Sequence, residues 1–204
     1  MTKKSICDII SQLGKQFYSL GWVSGTGGGI SIRDEESIYV APSGVQKERI
    51  NHEEIFIINR NGKIIYNPNK NLRISECTPI FLEIYNKKNA NAVIHSHSIN
   101  ALLVTDLYEY YFQCKNLEMQ KGIEGYNLFD QLKVPIIKNT PKESELTDYI
   151  SKAIEENERT KAVLVKGHGI YVWGNSWEEA KKHTECYDYL FEVAIERKKL
   201  GVEE

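Results

Sequence analysis

Long apolar runs are missing from this 204-residue sequence. The longest, such as Ala101 to Val104, fall far short of the ~20 residues a membrane-spanning helix needs. The N-terminus, Met1-Thr2-Lys3-Lys4-Ser5, has two lysines but no apolar stretch behind them, so it does not read as a secretory signal. An excess of one charge is also lacking. A formal net charge of −2 argues against a nucleic acid or an anionic membrane as the main partner, because such surfaces select basic proteins. Cysteine is sparse and scattered: Cys7, Cys77, Cys114 and Cys186 form neither a C-x-x-C pair nor a secreted-scaffold spacing. Reduced thiols in a cytoplasmic protein are expected. The five prolines build no linker, and no internal repeat is present, so one domain over residues 1–204 is expected.

Of the residues present, 41% are hydrophobic and 26% charged, the balance of a globular chain. Ile6, Ile9, Ile10, Leu13, Phe17 and Leu20 recur at helical spacing, which predicts a helix from Lys4 to Leu20 ended by Gly21. Short strands are expected at Gly29 to Arg33, Ser37 to Ala41, Ile55 to Ile58 and Lys63 to Tyr66, the last pair joined at Asn61-Gly62. Thr78 to Tyr85 reads as a helix and Asn91 to His95 as a buried strand. Ser98 is placed to cap a helix running to Leu107. Thr140-Pro141-Lys142-Glu143 reads as a helix start with Glu143 as its capping glutamate. Strands follow at Ala162 to Lys166 and Ile170 to Trp173. Ser176-Trp177-Glu178-Glu179 reads as a capping box for a long last helix. Strands and helices in this irregular order predict an α/β sandwich around a mainly antiparallel sheet rather than a doubly wound parallel one.

The chemistry-bearing residues cluster in a few places. In His95-Ser96-His97, two residues apart on a strand, both imidazoles point to one side and can converge on one ion. His168 stands between Gly167 and Gly169, which permit a sharp turn after a strand. Three neutral imidazoles leave tetrahedral zinc an open position, as catalytic zinc requires. His52, in a polar loop, and His183, expected to face outward or sideways on the last helix, carry no such pattern. Ser24-Gly25-Thr26-Gly27-Gly28-Gly29 offers backbone N–H groups to an anion but matches neither nucleotide-binding glycine motif. The turn Ala41-Pro42-Ser43-Gly44-Val45-Gln46-Lys47 adds a hydroxyl, amides and a cation. Glu76 and Glu118 are the candidate acid–base carboxylates.

Taken in order, the glycine turn, the Pro-Ser-Gly turn, Ser75-Glu76 before a helix, the H-x-H pair and the late Gly-flanked histidine resemble the class II aldolase/adducin superfamily. Gly21-Trp22-Val23-Ser24-Gly25-Thr26-Gly27-Gly28-Gly29, Ala41 to Arg49, and Gly167-His168-Gly169-Ile170-Tyr171-Val172-Trp173-Gly174 are similar to its dehydratase branch. That branch acts on 5-methylthioribulose 1-phosphate in methionine salvage. The resemblance runs from about Cys7 to Gly201. It implies a three-layer α/β/α sandwich and a homotetramer with active sites near subunit interfaces. It also implies Zn²⁺, one per subunit, on His95, His97 and His168. Glu118 matches the branch's acid–base glutamate. Glu76 falls where aldolases of this fold keep a catalytic carboxylate and dehydratases vary. Cys77 matches a pocket position, and Gly28, Gly29, Ser43 and Gly44 match positions near the substrate phosphate. Gly29 stands where the aldolases generally carry Asn, which favours the dehydratases over the sugar-phosphate aldolases and epimerases. Adducin-head-like binding modules lose the metal histidines, whereas this chain has all three. Animal members of the branch are also associated with restraint of cell death through partner proteins, which no pattern in this sequence addresses.

Overall fold

The computed structural model describes residues 2–202. It opens with α1 (Lys3–Ser19), whose first turn is capped by the Thr2 side chain accepting from the Ser5 N–H at 3.2 Å. Ile6, Ile10, Leu13 and Phe17 form its buried stripe, and Gly21, at φ 76°, turns the chain out of the helix.

Nine strands form one sheet: β1 (Gly29–Asp34), β2 (Ser37–Val40), β4 (Phe56–Asn59), β5 (Ile64–Tyr66), β7 (Ala92–Ser96), β8 (Tyr111–Cys114), β9 (Leu132–Ile137), β10 (Ala162–Val165) and β11 (Gly169–Gly174). Their order is β5-β4-β2-β1-β7-β11-β10-β9-β8. Every pairing is antiparallel except β9 with β10. Those two are bridged by α4 (Leu146–Glu156), the crossover a parallel pair needs. A two-residue ribbon, β3 (Pro42–Ser43) with β6 (Arg73–Ile74), lies outside the sheet.

Side-chain alternation divides the helices between the two faces. Ile38, Val40, Val93, Val163, Val165, Tyr171 and Trp173 point to the face covered by α2 (Thr78–Lys87) and α4. On the other face, Ile30, Ile32, Ala92 and Ile94 meet α1. There too Leu164, Ile170 and Val172 meet α5 (Trp177–Lys199) and α3 (Ile99–Leu107). The result is the three-layer α/β/α sandwich around a mainly antiparallel sheet that the sequence predicts. Because His95 shares the parity of Val93, it lands on the α2/α4 face, at the end of a central strand. Among the described residues no helix is long and apolar enough to cross a membrane.

Three expectations are corrected. Thr140-Pro141-Lys142-Glu143 does not start a helix: the Thr140 hydroxyl donates to the Lys142 carbonyl at 2.8 Å, and α4 begins at Leu146 after a single 3₁₀ turn. The Glu143 side chain is drawn into the site described below. His183 does not face outward or sideways; it is fully buried under β11, its Nδ1 2.8 Å from the Trp173 carbonyl. At Ser176 only half of the box forms: the serine accepts from the Glu179 N–H, while the Glu179 carboxylate accepts from Asn175, one residue too early. All four cysteines are free thiols, as expected.

Candidate metal centre

Strand β7 delivers His95 and His97 to one point. The His97 N–H donates to the Trp22 carbonyl at 2.7 Å, fixing the backbone as the strand ends. Ser98 then caps α3 by accepting from the Ala101 N–H at 3.0 Å, and its hydroxyl donates to Asp188 on α5. His168 arrives from the β10–β11 turn, where Gly167 at φ 63° donates to the Thr105 hydroxyl at 3.0 Å. Gly169 is required next: a Cβ there would collide with the Ser96 carbonyl of β7.

The three Nε2 atoms converge, with His97 2.8 Å from His95 and 3.0 Å from His168. The far side of two rings fixes their tautomers. His95 Nδ1 lies 3.1 Å from the Ile170 carbonyl, and His168 Nδ1 3.2 Å from the Asn139 side-chain oxygen. Oxygens of that kind only accept, so the protons sit on Nδ1 and the converging Nε2 atoms are bare. Burial, followed by the neighbouring imidazoles, holds His95 well below its ordinary pKa and His97 down at about 4. Both are neutral near pH 7, the ligating form. Neutral rings aiming lone pairs at one point repel each other unless a cation lies between them. The donor set therefore fits a divalent metal.

Glu143 completes the cluster. Its Oε1 lies 3.4 Å from His95 Nε2, its Oε2 3.8 Å from His168 Nε2. The Tyr171 hydroxyl donates to Oε1, and the Cys77 thiol contacts the same oxygen at 3.5 Å. Burial pushes the Cys77 thiol up to about 12 and Tyr171 well above its usual value, so both remain protonated donors. Tyr171 also stacks on His95, ring centroids 4.1 Å apart and planes 4° from parallel. Sequence reading missed Glu143 and Tyr171. The sequence carries Tyr171 only as part of the string Gly167 to Gly174; its place opposite His95 comes from the β7–β11 register.

Beside the histidines lies a cavity of about 300 Å³. Gly28, Ser43, Gly44, Glu76, Cys77, His95 and His97 all line it, together with Lys47, Arg73 and Glu143. Gly29 sits behind that wall in β1, packed on Phe81 and Cys77. Glu118 is not brought to the cavity. It opens the 3₁₀ segment Glu118–Gly122 beyond β8, four strand positions from β7. Its side chain is 74% exposed and pairs with Lys121 at 2.7 Å.

The profile of the Class II Aldolase and Adducin N-terminal domain matches residues 8–195, and the chain belongs to that family. Two relatives narrow the comparison. A protein of Drosophila grimshawi named probable methylthioribulose-1-phosphate dehydratase is 50% identical over 203 residues, covering 95% of this chain and 88% of its own. A Homo sapiens methylthioribulose-1-phosphate dehydratase is 49% identical over 204 residues, covering 96% and 84%. Among solved structures, an L-fuculose 1-phosphate aldolase superposes with a TM-score of 0.80 at 22% identity, over 97% of this chain and 88% of that one, a likeness of fold.

Proposed function

We propose that this chain is a cytoplasmic hydro-lyase that converts 5-methylthioribulose 1-phosphate to 2,3-diketo-5-methylthiopentyl 1-phosphate. Zinc is held by His95, His97 and His168, one ion per subunit of a homotetramer. The observation that carries the reading is the meeting of the His95, His97 and His168 ring nitrogens and the Glu143 carboxylate beside a polar cavity. A divalent cation bound there would polarise the substrate carbonyl and acidify the neighbouring C–H.

The substrate has a ketone at carbon 2 and hydroxyls at carbons 3 and 4. A base takes the carbon-3 proton and its electron pair shifts toward the carbonyl. The carbon-4 hydroxyl then leaves with a proton, so one water is lost and the resulting enol relaxes to the diketone. Glu118 is the acid–base group, a role worth about 10²–10⁴-fold when well placed. Since Glu118 points to solvent in its own chain, it serves the site of a neighbouring subunit. Glu143 stands at the histidines, held through Oε1 by Tyr171 and Cys77, with Oε2 left facing His168. Glu76, exposed on the cavity rim, is assigned a second role, as an acid–base group or a contact to the metal water. Gly28, Ser43 and Gly44 line the end that receives the phosphate, and Gly29 supports that wall from behind.

A sugar-phosphate aldolase or epimerase would use the same metal and break a different bond. The relatives at about half identity favour dehydration, while the aldolase likeness concerns the backbone alone. Metal content and turnover of methylthioribulose 1-phosphate, measured on the wild type and on His95→Ala, test the reading. About one zinc per chain with dehydration, both lost in the variant, is expected. Metal with retro-aldol cleavage to a three-carbon phosphate would replace dehydratase by aldolase. Wild type without metal would return the fold to a binding module.

A further inference from the structure

The cavity beside the histidines is lined by two cations, Lys47 and Arg73, that no carboxylate among the described residues pairs with. Lys47 is only 1% exposed, a depth at which lysine ordinarily has a carboxylate partner. Here Nζ donates to two neutral carbonyls, Thr26 at 3.0 Å and Val45 at 3.2 Å. An ammonium carries three protons, and among the described residues the third finds no acceptor. Glu48, the next residue, offers only a longer-range attraction, and burial pulls the lysine's pKa down. Such a charge is costly to keep without a counter-ion.

Arg73 reaches the same cavity from the β3–β6 ribbon. It pairs with Ser43 across the β3–β6 ribbon, and its guanidinium lies 3.6 Å from where a Cβ on Gly44 would sit. It too has no carboxylate partner among the described residues. Two carboxylates share the cavity, and neither neutralises the cations: Glu143 is engaged by Tyr171 and Cys77, and Glu76 stands on the ridge toward a neighbouring, more apolar hollow.

We infer that Lys47 and Arg73 together hold the substrate's phosphomonoester at the Ser43–Gly44 turn. This rests on the phosphorylated-sugar reading above and adds the charge that the glycines and the serine cannot supply. A carboxylate would answer only one of the two cations. A phosphomonoester dianion answers both and offers three acceptor oxygens, two of them suited to the planar guanidinium fork. Lys47 does a second thing: by bonding Thr26 and Val45 it ties the glycine turn to the Pro-Ser-Gly turn. The two anion-facing loops are thereby fixed before the substrate arrives.

Inorganic phosphate is the probe, used on the zinc-loaded protein. It should compete with the substrate in the wild type. Arg73→Gln, at an exposed position, should weaken that competition and raise KM by about 10- to 100-fold, with zinc per chain unchanged and kcat changed less. Lys47→Met should weaken phosphate similarly, its fold checked by circular dichroism. Wild-type phosphate affinity and KM in both variants would overturn the clamp. If phosphate competes poorly although the substrate is dehydrated, the clamp falls and the reaction stands. If phosphate binds in a Lys47- and Arg73-dependent way but the substrate is not dehydrated, the clamp stands and the assigned reaction falls.

Discussion

Gly27 shows how much of the centre is set by single positions. A Cβ there would lie 2.6 Å from His97 Nδ1, so the glycine turn is glycine partly to let an imidazole stand against it. Gly27→Ala should push the ring aside and lower metal affinity by about 10- to 100-fold, the cost of disturbing a ligand's support. Chelator competition measures this, with an unchanged circular dichroism spectrum as the control. Wild-type metal affinity would show that the ring yields freely. At this scale His95 and His97 were legible because a strand's period of two puts them on one side. Glu143 was not. Its string, Thr-Pro-Lys-Glu, carries every local mark of a helix start, and only the inward donors Tyr171 and Cys77, distant in sequence, turn the carboxylate to the histidines.

Elements followed the same rule: what local pattern determines was readable, and what distant partners determine was not. The amphipathic α1, the Asn61-Gly62 hairpin and the Ser98 cap lie within a residue or two of where the sequence puts them. Strands β8 and β9 escaped, because β9 contains Pro135 and β8 exposes two of its four residues. Pro135 is tolerated since it lies just ahead of the short parallel ladder to β10, which starts at Ile136. His183 escaped for a related reason. Its ring joins three elements, with Nδ1 on the Trp173 carbonyl of β11 and Nε2 accepting from the Glu124 N–H at 3.1 Å. Burial, the first cause, lowers its pKa below the ordinary 6.5, with Lys182 and Lys161 lowering it further and Glu179 and the Trp173 carbonyl opposing. A histidine kept neutral in the fold but free to protonate when unfolded gives full stability above 6.5, and that stability falls as pH drops through it. Urea unfolding midpoints on wild type and His183→Gln should therefore show a shallower loss below pH 6.5 in the variant. Equal slopes would exclude His183 as a source of the dependence.

The whole molecule raises a question that one chain cannot answer alone. The histidines lie on the central strands β7 and the β10–β11 turn, while the segment carrying Glu118 is clamped to α5 beyond the edge strand β8. That clamp is tight. The His183 ring accepts from Glu124, and Gly122 leaves no room for a Cβ against the Cys186 sulfur. Gln120, fully buried, donates to the Asp130 carbonyl at 3.0 Å. A rigid mount with an exposed tip suits a side chain presented to another subunit better than one that swings home. The fold class and the histidine cluster are thus legible in one sequence, whereas a site shared between copies would be written on two surfaces that no linear pattern joins. Co-expression decides the matter. His95→Ala and Glu118→Gln chains should each be inactive alone, but differently tagged and purified together they should regain activity. If each site draws histidines from one subunit and the glutamate from its neighbour, random mixing leaves roughly a quarter of the sites intact. Were Glu118 to act within its own chain, every site would keep one lesion, and the mixed preparation would stay as inactive as its parents.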